Sequence, residues 1–265
     1  MNDQNDQPAP EARRYAFFFD VDGTLAEIQP RPELVFIPPA TLAALERLHA
    51  GGIPVAVISG RPLAQLDALL APLQLPAAGV HGAERRDATG ELRNLALDSQ
   101  ALEQIQRELQ QACSQHPDLH LENKSVAFAL HFRQAPELEE VARNLAEDFA
   151  QRYAEVLTLQ PGKCVFELKP RGASKGEVIR AFMQEPPFAG KTPVFLGDDL
   201  TDEAGFAAVN ALGGRSIKVG DGPSEARERV ASVAAVGEWV EALLNDLGVP
   251  AEPKNKTRLE RDFLP

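Results

Sequence analysis

The sequence predicts an α/β protein with a doubly wound, Rossmann-like parallel-sheet core and an inserted α+β domain. Three observations support this prediction. Short runs of purely apolar residues recur along the chain, which is typical of parallel strands covered by helices on both faces. Segments with the apolar spacing of helices separate these runs. The middle of the chain instead shows alternating strands and a hairpin signal, which indicates a smaller antiparallel unit.

The core strands are predicted first, because their runs are too short for helices and end at turn residues. They are residues 15–19 (YAFFF), 53–58 (IPVAVI), 193–196 (PVFL) and, more weakly, 216–219 (SIKV). Helices between and after them are indicated by two apolar stripes, formed by Leu42, Leu45 and Leu48 and by Val236, Val240, Leu243 and Leu247.

The insert is predicted to span residues 84–170, between core segments 15–83 and 171–250. A hairpin is expected around residues 87–90 (DATG), and strands are expected at 126–132, 156–159 and 165–168. Two helices are indicated by the stripes Leu102, Ile105, Leu109 and Leu138, Val141, Leu145, Phe149. The polar, proline-containing lead at 1–14 is predicted to be disordered, and residues 251–265 form a similar polar tail.

Composition excludes several classes of function. The chain has 27 Lys+Arg against 39 Asp+Glu, a formal charge of −12, which argues against nucleic acid or an anionic membrane as a main partner. Its first residues lack the pattern of a signal peptide, and no apolar run approaches the ~20 residues of a membrane span. Cys113 and Cys164 lie far apart, without metal-ligand or disulfide spacing. A cytoplasmic protein acting on a small molecule is the expectation.

Two carboxylates follow the first predicted strand. Asp20 and Asp22 are two residues apart in the run DVDGTL (residues 20–25), so in an extended chain they project together from its carboxyl end. Ligand sites of α/β proteins form at this end. Carboxylates this close repel each other unless a cation or a shared proton is present. The pair therefore predicts a functional site, in preference to the ordinary role of an acidic residue as a helix cap.

Three further segments carry polar groups where strands end or helices begin. Ser59 and Gly60 offer a hydroxyl and a bare amide before a helix, which suits a small anion, although such a segment alone is more often a helix cap. Lys175 opens a helix, where the helix dipole disfavours an ammonium, so it indicates a bound anion or nearby carboxylates unless it is simply solvated. The run GDDLTDE (residues 197–203) has four acids in six positions and points to a hard divalent cation.

In this order, the aspartate pair, serine, lysine and acidic run resemble the signature of the haloacid dehalogenase superfamily of phosphohydrolases. The resemblance implies that Asp20 is the nucleophile that forms an aspartyl-phosphate. It implies that Asp22 is the acid/base, which protonates the leaving alcohol and then activates water. Ser59 with Gly60, and Lys175, would hold the phosphoryl oxygens.

The resemblance also implies a cofactor, Mg²⁺. Its ligands would be Asp20, the backbone carbonyl of Asp22, and Asp198, with Asp199 or Asp202 in a supporting role. Hard oxygen ligands favour Mg²⁺, whereas Zn²⁺ would require histidine or cysteine, which these loops lack.

Additional motifs are similar to those of the trehalose-6-phosphate phosphatase family, over about residues 15–248. They are residues 79–84 (GVHGAE), the Glu122-x-Lys124 strip leading to His131-x-Arg133, residues 167–170 (ELKP), and GDDLTDE. This resemblance implies that the insert is a mobile cap. Glu122, Lys124 and Glu167 would bind the sugar that does not carry the phosphate, and Arg61 and His81 would line the entrance.

Four alternatives remain open from the residues alone. The charged strips of the insert could be solvated strand edges, and His81 could orient a loop through its own hydrogen bonds. The substrate could be another sugar phosphate, of the sucrose-phosphate or mannosylglycerate-phosphate type. The chain could also be a non-catalytic sugar-phosphate sensor, although a sensor has no need of a nucleophile beside a proton donor.

Overall fold

The computed structural model describes residues 14–95, 98–124 and 126–249. Within these ranges the chain forms an eight-stranded sheet and a separate four-stranded sheet. The lead predicted for residues 1–14 and the tail predicted for 251–265 lie, except for Arg14, outside the described residues. None of the described helices combines the length and the apolar character that crossing a membrane requires.

The elements follow one another in three groups. The first group is β1 (Tyr15–Phe19), α1 (Pro39–Ala50), β2 (Val55–Ile58), α2 (Leu63–Leu70), β3 (Ala77–Gly79), β4 (Glu84–Arg86) and β5 (Leu92–Asn94). The second is α3 (Ser99–Cys113), β6 (His120–Asn123), β7 (Phe128–His131), α4 (Glu139–Arg152), β8 (Leu157–Gly162) and β9 (Val165–Pro170). The third is α5 (Lys175–Phe182), β10 (Thr192–Gly197), α6 (Glu203–Ala211), β11 (Arg215–Val219), β12 (Glu228–Val230) and α7 (Val233–Asp246).

The large sheet has the strand order β12-β11-β10-β1-β2-β3-β4-β5, and it is parallel from β12 to β3. The predicted α/β fold with a mostly parallel sheet is confirmed. β1 lies between β2, which follows it in the chain, and β10, which comes after the insert. Such a position is where ligand sites form in sheets of this kind.

The run of three phenylalanines in β1 explains why this strand is buried on both faces. Phe17 and Phe19 face the side covered by α1 and α7, where Trp239 packs against Phe17 with ring centroids 6.2 Å apart. Phe18 faces the opposite side, where it packs against Phe182 and Phe188. Each fully buried ring contributes ~1.5–3 kcal/mol relative to an exposed one, so β1 is firmly held beneath the residues that follow it.

The four-stranded sheet is antiparallel, in the order β6-β7-β9-β8, and has two unlike faces. Its apolar face packs on α3 and α4. Its polar face carries a row of directly opposed residues, one from each strand: Glu122, Ala129, Glu167 and Gln160. We call the segment that carries this sheet, α3 and α4 the insert.

The predicted hairpin forms, but it belongs to the large sheet. β4 pairs with β3 and β5 pairs with β4, both antiparallel. The sequence predicts a hairpin but not its partner strand, and ion pairs of two arginines on β4 stabilise its place beside β3. Arg85, which is buried, donates to both carboxylate oxygens of Glu185 at 2.8 and 2.9 Å, and Arg86 donates to Asp67. Residues 84–94, which the sequence predicts to be part of the insert, extend the large sheet instead.

Candidate active site

The carboxyl ends of three adjacent strands bring the predicted polar residues together. Asp20 follows β1, Ser59 follows β2 and Asp198 follows β10. Because β2 and β10 flank β1 in the same direction, the three residues meet at one edge of the sheet. Motifs separated by more than a hundred residues therefore form one site.

The turn after β1 depends on Gly23. The amides of Thr24, Leu25 and Ala26 all donate to the carbonyl of Val21, which closes a tight loop. Gly23 has φ +84°, in the left-handed region, and a Cβ there would lie 2.1 Å from Asp198 Oδ2. Only glycine permits Asp198 to approach the aspartate pair this closely.

Lys175 is the centre of the buried ion-pair network. It opens α5, behind the capping hydroxyl of Ser174, and its side chain is 2% exposed. Its Nζ donates to Asp20 Oδ1 at 2.7 Å and to Asp202 Oδ1 at 2.6 Å. Burial alone would lower the pKa of the Lys175 ammonium, but these two carboxylates outweigh burial and raise it above its usual value. Asp20 and Asp202 are thus the nearby carboxylates that the position of Lys175 in the sequence indicates.

Three carboxylates converge beside this lysine. Oxygen atoms of Asp20, Asp198 and Asp202 lie within 4.8 Å of one another. Burial raises the pKa of Asp20 well above its ordinary value. Burial, reinforced by Asp202, raises the pKa of Asp198 to about 7. With all three carboxylates ionised, the cluster would carry more negative charge than its buried lysine compensates.

The cluster fits a hard divalent cation. All its donors are carboxylate oxygens, and Asp198 Oδ1 is buried with no hydrogen-bond partner among the described residues. Asp202 holds the loop that carries Asp198, since its Oδ2 accepts hydrogen bonds from the amides of Asp198 and Asp199, both at 2.9 Å. The Asp199 carboxylate accepts the amide of Leu200 and caps the following turn instead.

The side chain of Asp22 points away from this cluster. Arg61 grips it with two parallel bonds, from Nε to Oδ2 and from Nη2 to Oδ1, both 2.7 Å. The side chain of Asp22 is 35% exposed, against 6% for Asp20. Arg61, which the sequence placed at the entrance, is thus the direct partner of the predicted acid/base.

The phosphate-binding candidates of the second strand lie beside the pair. Ser59 is buried, and its Oγ accepts the amide of Arg61 at 3.2 Å. Lys124 Nζ, from the insert, donates to the carbonyl of Gly60 at 3.3 Å. This contact connects the large sheet with the polar face of the insert.

Glu167 is the second link between the two sheets. One carboxylate oxygen bonds Lys124, and the other lies 2.6 Å from Nε2 of His81, in the loop after β3. Although Glu167 is buried, His81 and Lys124 hold the pKa of its carboxyl well below the usual value. Glu122, two residues before Lys124, bonds His131 at 2.8 Å, and His131 and Lys124 lower its pKa despite burial.

A cavity of about 360 Å³ lies between the two sheets and joins these groups. Twelve of the thirteen residues predicted for the site line it: Asp20, Asp22, Ser59, Gly60, Arg61, His81, Glu122, Lys124, Glu167, Lys175, Asp198 and Asp199. Asp202 lies beneath them, fully buried.

The cavity is also lined by polar residues that were not predicted as site residues from the sequence. They are Gln29, Gln65, His131, Arg133, Gln160, Lys163 and Thr201. His131 and Arg133 carried a signal, since they stand in the alternating strand after Glu122-x-Lys124. Gln160 had none, because its place opposite Glu167 follows only from the pairing of β8 with β9. Lys218 was not predicted either. Its Nζ donates to the carbonyl of Asp198 at 2.5 Å, so it belongs to the surroundings of the carboxylate cluster.

Comparison with protein families and sequences gives a consistent match. The trehalose-phosphatase family model matches residues 18–235. The trehalose-6-phosphate phosphatase of Escherichia coli (strain K12) is 51% identical over 235 residues, covering 88% of both chains. A probable trehalose-phosphate phosphatase of Sinorhizobium fredii is 39% identical and covers 83% of this chain and 82% of its own.

Solved structures match over both sheets. The C-terminal domain of Candida albicans trehalose-6-phosphate phosphatase superposes with a TM-score of 0.79 at 24% identity, covering 89% of this chain and 94% of that one. A trehalose-6-phosphate phosphatase related protein superposes with a TM-score of 0.73 at 26% identity, covering 88% and 98%. The haloacid dehalogenase-like fold with a cap domain is therefore confirmed.

Proposed function

The chain belongs to the trehalose-phosphatase family, and from that premise we propose that it hydrolyses trehalose 6-phosphate to trehalose and inorganic phosphate. This reaction is the last step of trehalose biosynthesis. The observation that carries the proposal is the pairing of Asp20 with Lys175 at the floor of a cavity whose opposite wall is the polar face of the insert.

Asp20 would act as the nucleophile. Its carboxylate oxygen attacks phosphorus, and the bond between phosphorus and the sugar oxygen breaks, which leaves an aspartyl-phosphate. Lys175, held against Asp20, supplies positive charge to the phosphoryl oxygens, and Ser59 with the amide of Gly60 supplies neutral donors.

Asp22 would serve as acid and then as base. It gives a proton to the departing sugar oxygen, and it later takes a proton from the water that cleaves the aspartyl-phosphate. Its greater exposure suits a group that changes protonation during each turnover. Arg61 has to release the carboxyl when the substrate's leaving oxygen arrives.

Mg²⁺ is the proposed cofactor. Asp20, Asp198 and the backbone of Asp22 would hold it, with Asp202 orienting the loop from below. When bound, the ion neutralises charge on the phosphoryl group. Its fit rests on the three buried carboxylates and on Asp198 Oδ1, which has no hydrogen-bond partner within the described part of the chain.

The disaccharide would be recognised by the insert, which we propose is a cap domain over a core that holds the large sheet, residues 15–94 and 171–249. Glu122, Lys124 and Glu167 are partly or fully buried in the cavity wall, so they are not solvated edge charges. In this proposal they bind the glucose that lacks the phosphate. The charge of −12 argues against nucleic acid and membrane partners, and we place the enzyme in the cytoplasm.

Phosphate release from a panel of sugar phosphates tests the proposal. With Mg²⁺ we expect the highest kcat/KM for trehalose 6-phosphate and loss of turnover in excess chelator. Preference for sucrose 6-phosphate or mannosylglycerate phosphate would refute the substrate. Binding without any phosphate release would identify a sensor instead, and full activity in chelator would refute the metal requirement.

A further inference from the structure

The loop after β3 holds two consecutive side-chain-bearing residues in a strained backbone. Val80 has φ +48° and His81 has φ +54°, in the left-handed region that β-branched residues in particular avoid. Two hydrogen bonds hold them there, from the Val80 amide to the carbonyl of Arg61 and from the His81 amide to the carbonyl of Ser59. Backbone strain of this kind persists where the surroundings enforce it, often at functional sites.

The strain places the His81 ring directly against Gly60. A Cβ added at Gly60 would lie 2.8 Å from His81 Nε2, so the ring occupies the space that any other side chain would need. His81 itself is only 4% exposed. The imidazole is therefore part of the wall behind the candidate phosphate loop and presents little surface to a sugar.

From this position His81 completes a closed chain of polar contacts across the boundary between the sheets. His81 Nε2 meets one oxygen of Glu167 at 2.6 Å, and Lys124 meets the other. Lys124 then returns to the carbonyl of Gly60 at 3.3 Å. Two of these groups belong to the large sheet and two to the insert.

The chemistry of these groups decides which of them donates each hydrogen bond and which accepts it. A carboxylate only accepts hydrogen bonds, so the His81 nitrogen that faces Glu167 carries the proton. Burial lowers the pKa of His81, whereas Glu167 acts to raise it. The neutral ring with its proton on Nε2 and the protonated ring both donate from this nitrogen to Glu167. Nδ1 of His81 has no hydrogen-bond partner among the described residues. The ring thus makes one directed polar side-chain contact, to Glu167.

We propose that His81 is a positioning residue whose Nε2–H fixes Glu167 across the boundary between the sheets, so that Glu167 and Lys124 meet the substrate already oriented. This inference rests on the proposed function and changes the expected role of His81 from a lining of the entrance to a support of Glu167. A small apolar cluster beside the loop, Val80 and Ala83 with Ala127 and Ala173, packs the same boundary.

Two substitutions separate the polar contact from the backbone. Glutamine places an amide near the position of Nε2, whereas asparagine is too short to reach Glu167 but tolerates a left-handed backbone better. We expect His81→Gln to retain most of kcat/KM on the sugar phosphate and His81→Asn to lose about tenfold or more, the scale of a hydrogen bond to a charged group. If asparagine were as active as glutamine or more active, the backbone alone would explain His81 and the proposal would fail.

A double-mutant cycle provides the second readout. If His81 acts through Glu167, then His81→Asn added to Glu167→Ala should lower kcat/KM no further than Glu167→Ala alone, within about twofold. The losses on an aryl phosphate should be at least tenfold smaller than those on the sugar phosphate. Multiplication of the two single losses would show that His81 acts independently, which overturns the proposal.

Should the asparagine variant not fold, His81→Gly replaces it, since glycine adopts this φ without strain. Added imidazole should then restore sugar-phosphate turnover, and failure to restore it would count against the assignment. The cycle uses whichever sugar phosphate the unaltered enzyme prefers. A preference for a substrate other than trehalose 6-phosphate would refute the proposed function while leaving the test of His81 intact.

Discussion

Asp20 and Asp22 are separated by one residue, yet their surroundings differ in kind. Asp20 is buried against the ammonium of Lys175, and Asp22 is partly exposed in the fork of Arg61. Environment assigns different tasks to chemically identical carboxylates. The buried, lysine-bound group suits the nucleophile, and the exposed group suits proton transfer.

Replacement of the nucleophile is the first prediction. Asp20→Asn should lower kcat by a factor of about 10³ or more, because an amide cannot attack phosphorus at a useful rate. The amide oxygen can still accept from Lys175, so the melting temperature should stay near that of the unaltered enzyme. Steady-state rates and mass spectrometry of acid-quenched protein check this. Turnover within a few-fold, or a phosphorylated D20N protein, would place the nucleophile elsewhere.

Replacement of the acid/base is the second. Asp22→Asn should slow trehalose 6-phosphate far more than an aryl phosphate, whose leaving group needs little protonation. We expect about 10²–10⁴-fold on the sugar ester, the usual contribution of general acid–base catalysis. Parallel kinetics on both substrates provide the measurement. An equal loss on both substrates would show that Asp22 does not protonate the leaving group. Its carboxylate would then act in another way, for example by positioning Arg61.

At the scale of elements, strand pairing turns scattered charges into one surface. Glu122 and Glu167 are 45 positions apart in the chain but occupy one row across β6, β7, β9 and β8. The period of two predicts which residues share a face of one strand. The order of the strands, which the alternation does not contain, decides which faces become neighbours.

The third prediction belongs to this surface. Lys124→Ala should lower kcat/KM on trehalose 6-phosphate, with a loss of ~1–3 kcal/mol of transition-state stabilisation, which is the cost of losing a hydrogen bond from a charged group. The loss on an aryl phosphate should be smaller. Arg107→Ala is the matched control, since it removes a positive charge from α3 of the insert where the side chain is 69% exposed. Equal damage by both variants, or equal loss on both substrates, would remove Lys124 from sugar recognition.

At the scale of the whole molecule, the site costs stability. Burial raises the pKa of Asp198 to about 7, above the 3.8 of an ordinary aspartate. The folded state therefore holds this proton more tightly than the unfolded state does. The folded state is penalised as pH rises from about 4 to about 7, and the penalty is complete above that range.

The fourth prediction follows from this penalty. Without metal, the melting temperature of the Asp198→Asn variant should exceed that of the unaltered enzyme by a few degrees at pH 8 and by much less at pH 4.5. Added Mg²⁺ should stabilise only the unaltered enzyme, because a ligand that binds the folded state raises its stability. Calorimetry at both pH values tests this, with the exposed Asp221→Asn as control. A difference independent of pH would refute it.

The local order of the chain was readable from the sequence by itself. The apolar runs predicted β1, β2, β10 and β11, and the predicted site residues outside the insert stand where a strand ends or a helix begins. Strand position decides this much, because the carboxyl ends of parallel strands share one edge of the sheet. Twelve of the thirteen predicted site residues line one cavity, where the strand ends of the large sheet face Glu122, Lys124 and Glu167 of the insert.

Only the tertiary structure decided which side chains meet. It joined the hairpin of β4 and β5 to the large sheet, paired Arg61 with Asp22, and set Asp202 rather than Asp199 in the carboxylate cluster. It also turned His81 toward Glu167, 86 residues away. Local periodicity encodes the direction of each side chain along its own element, whereas partners across elements depend on how whole sheets and helices pack.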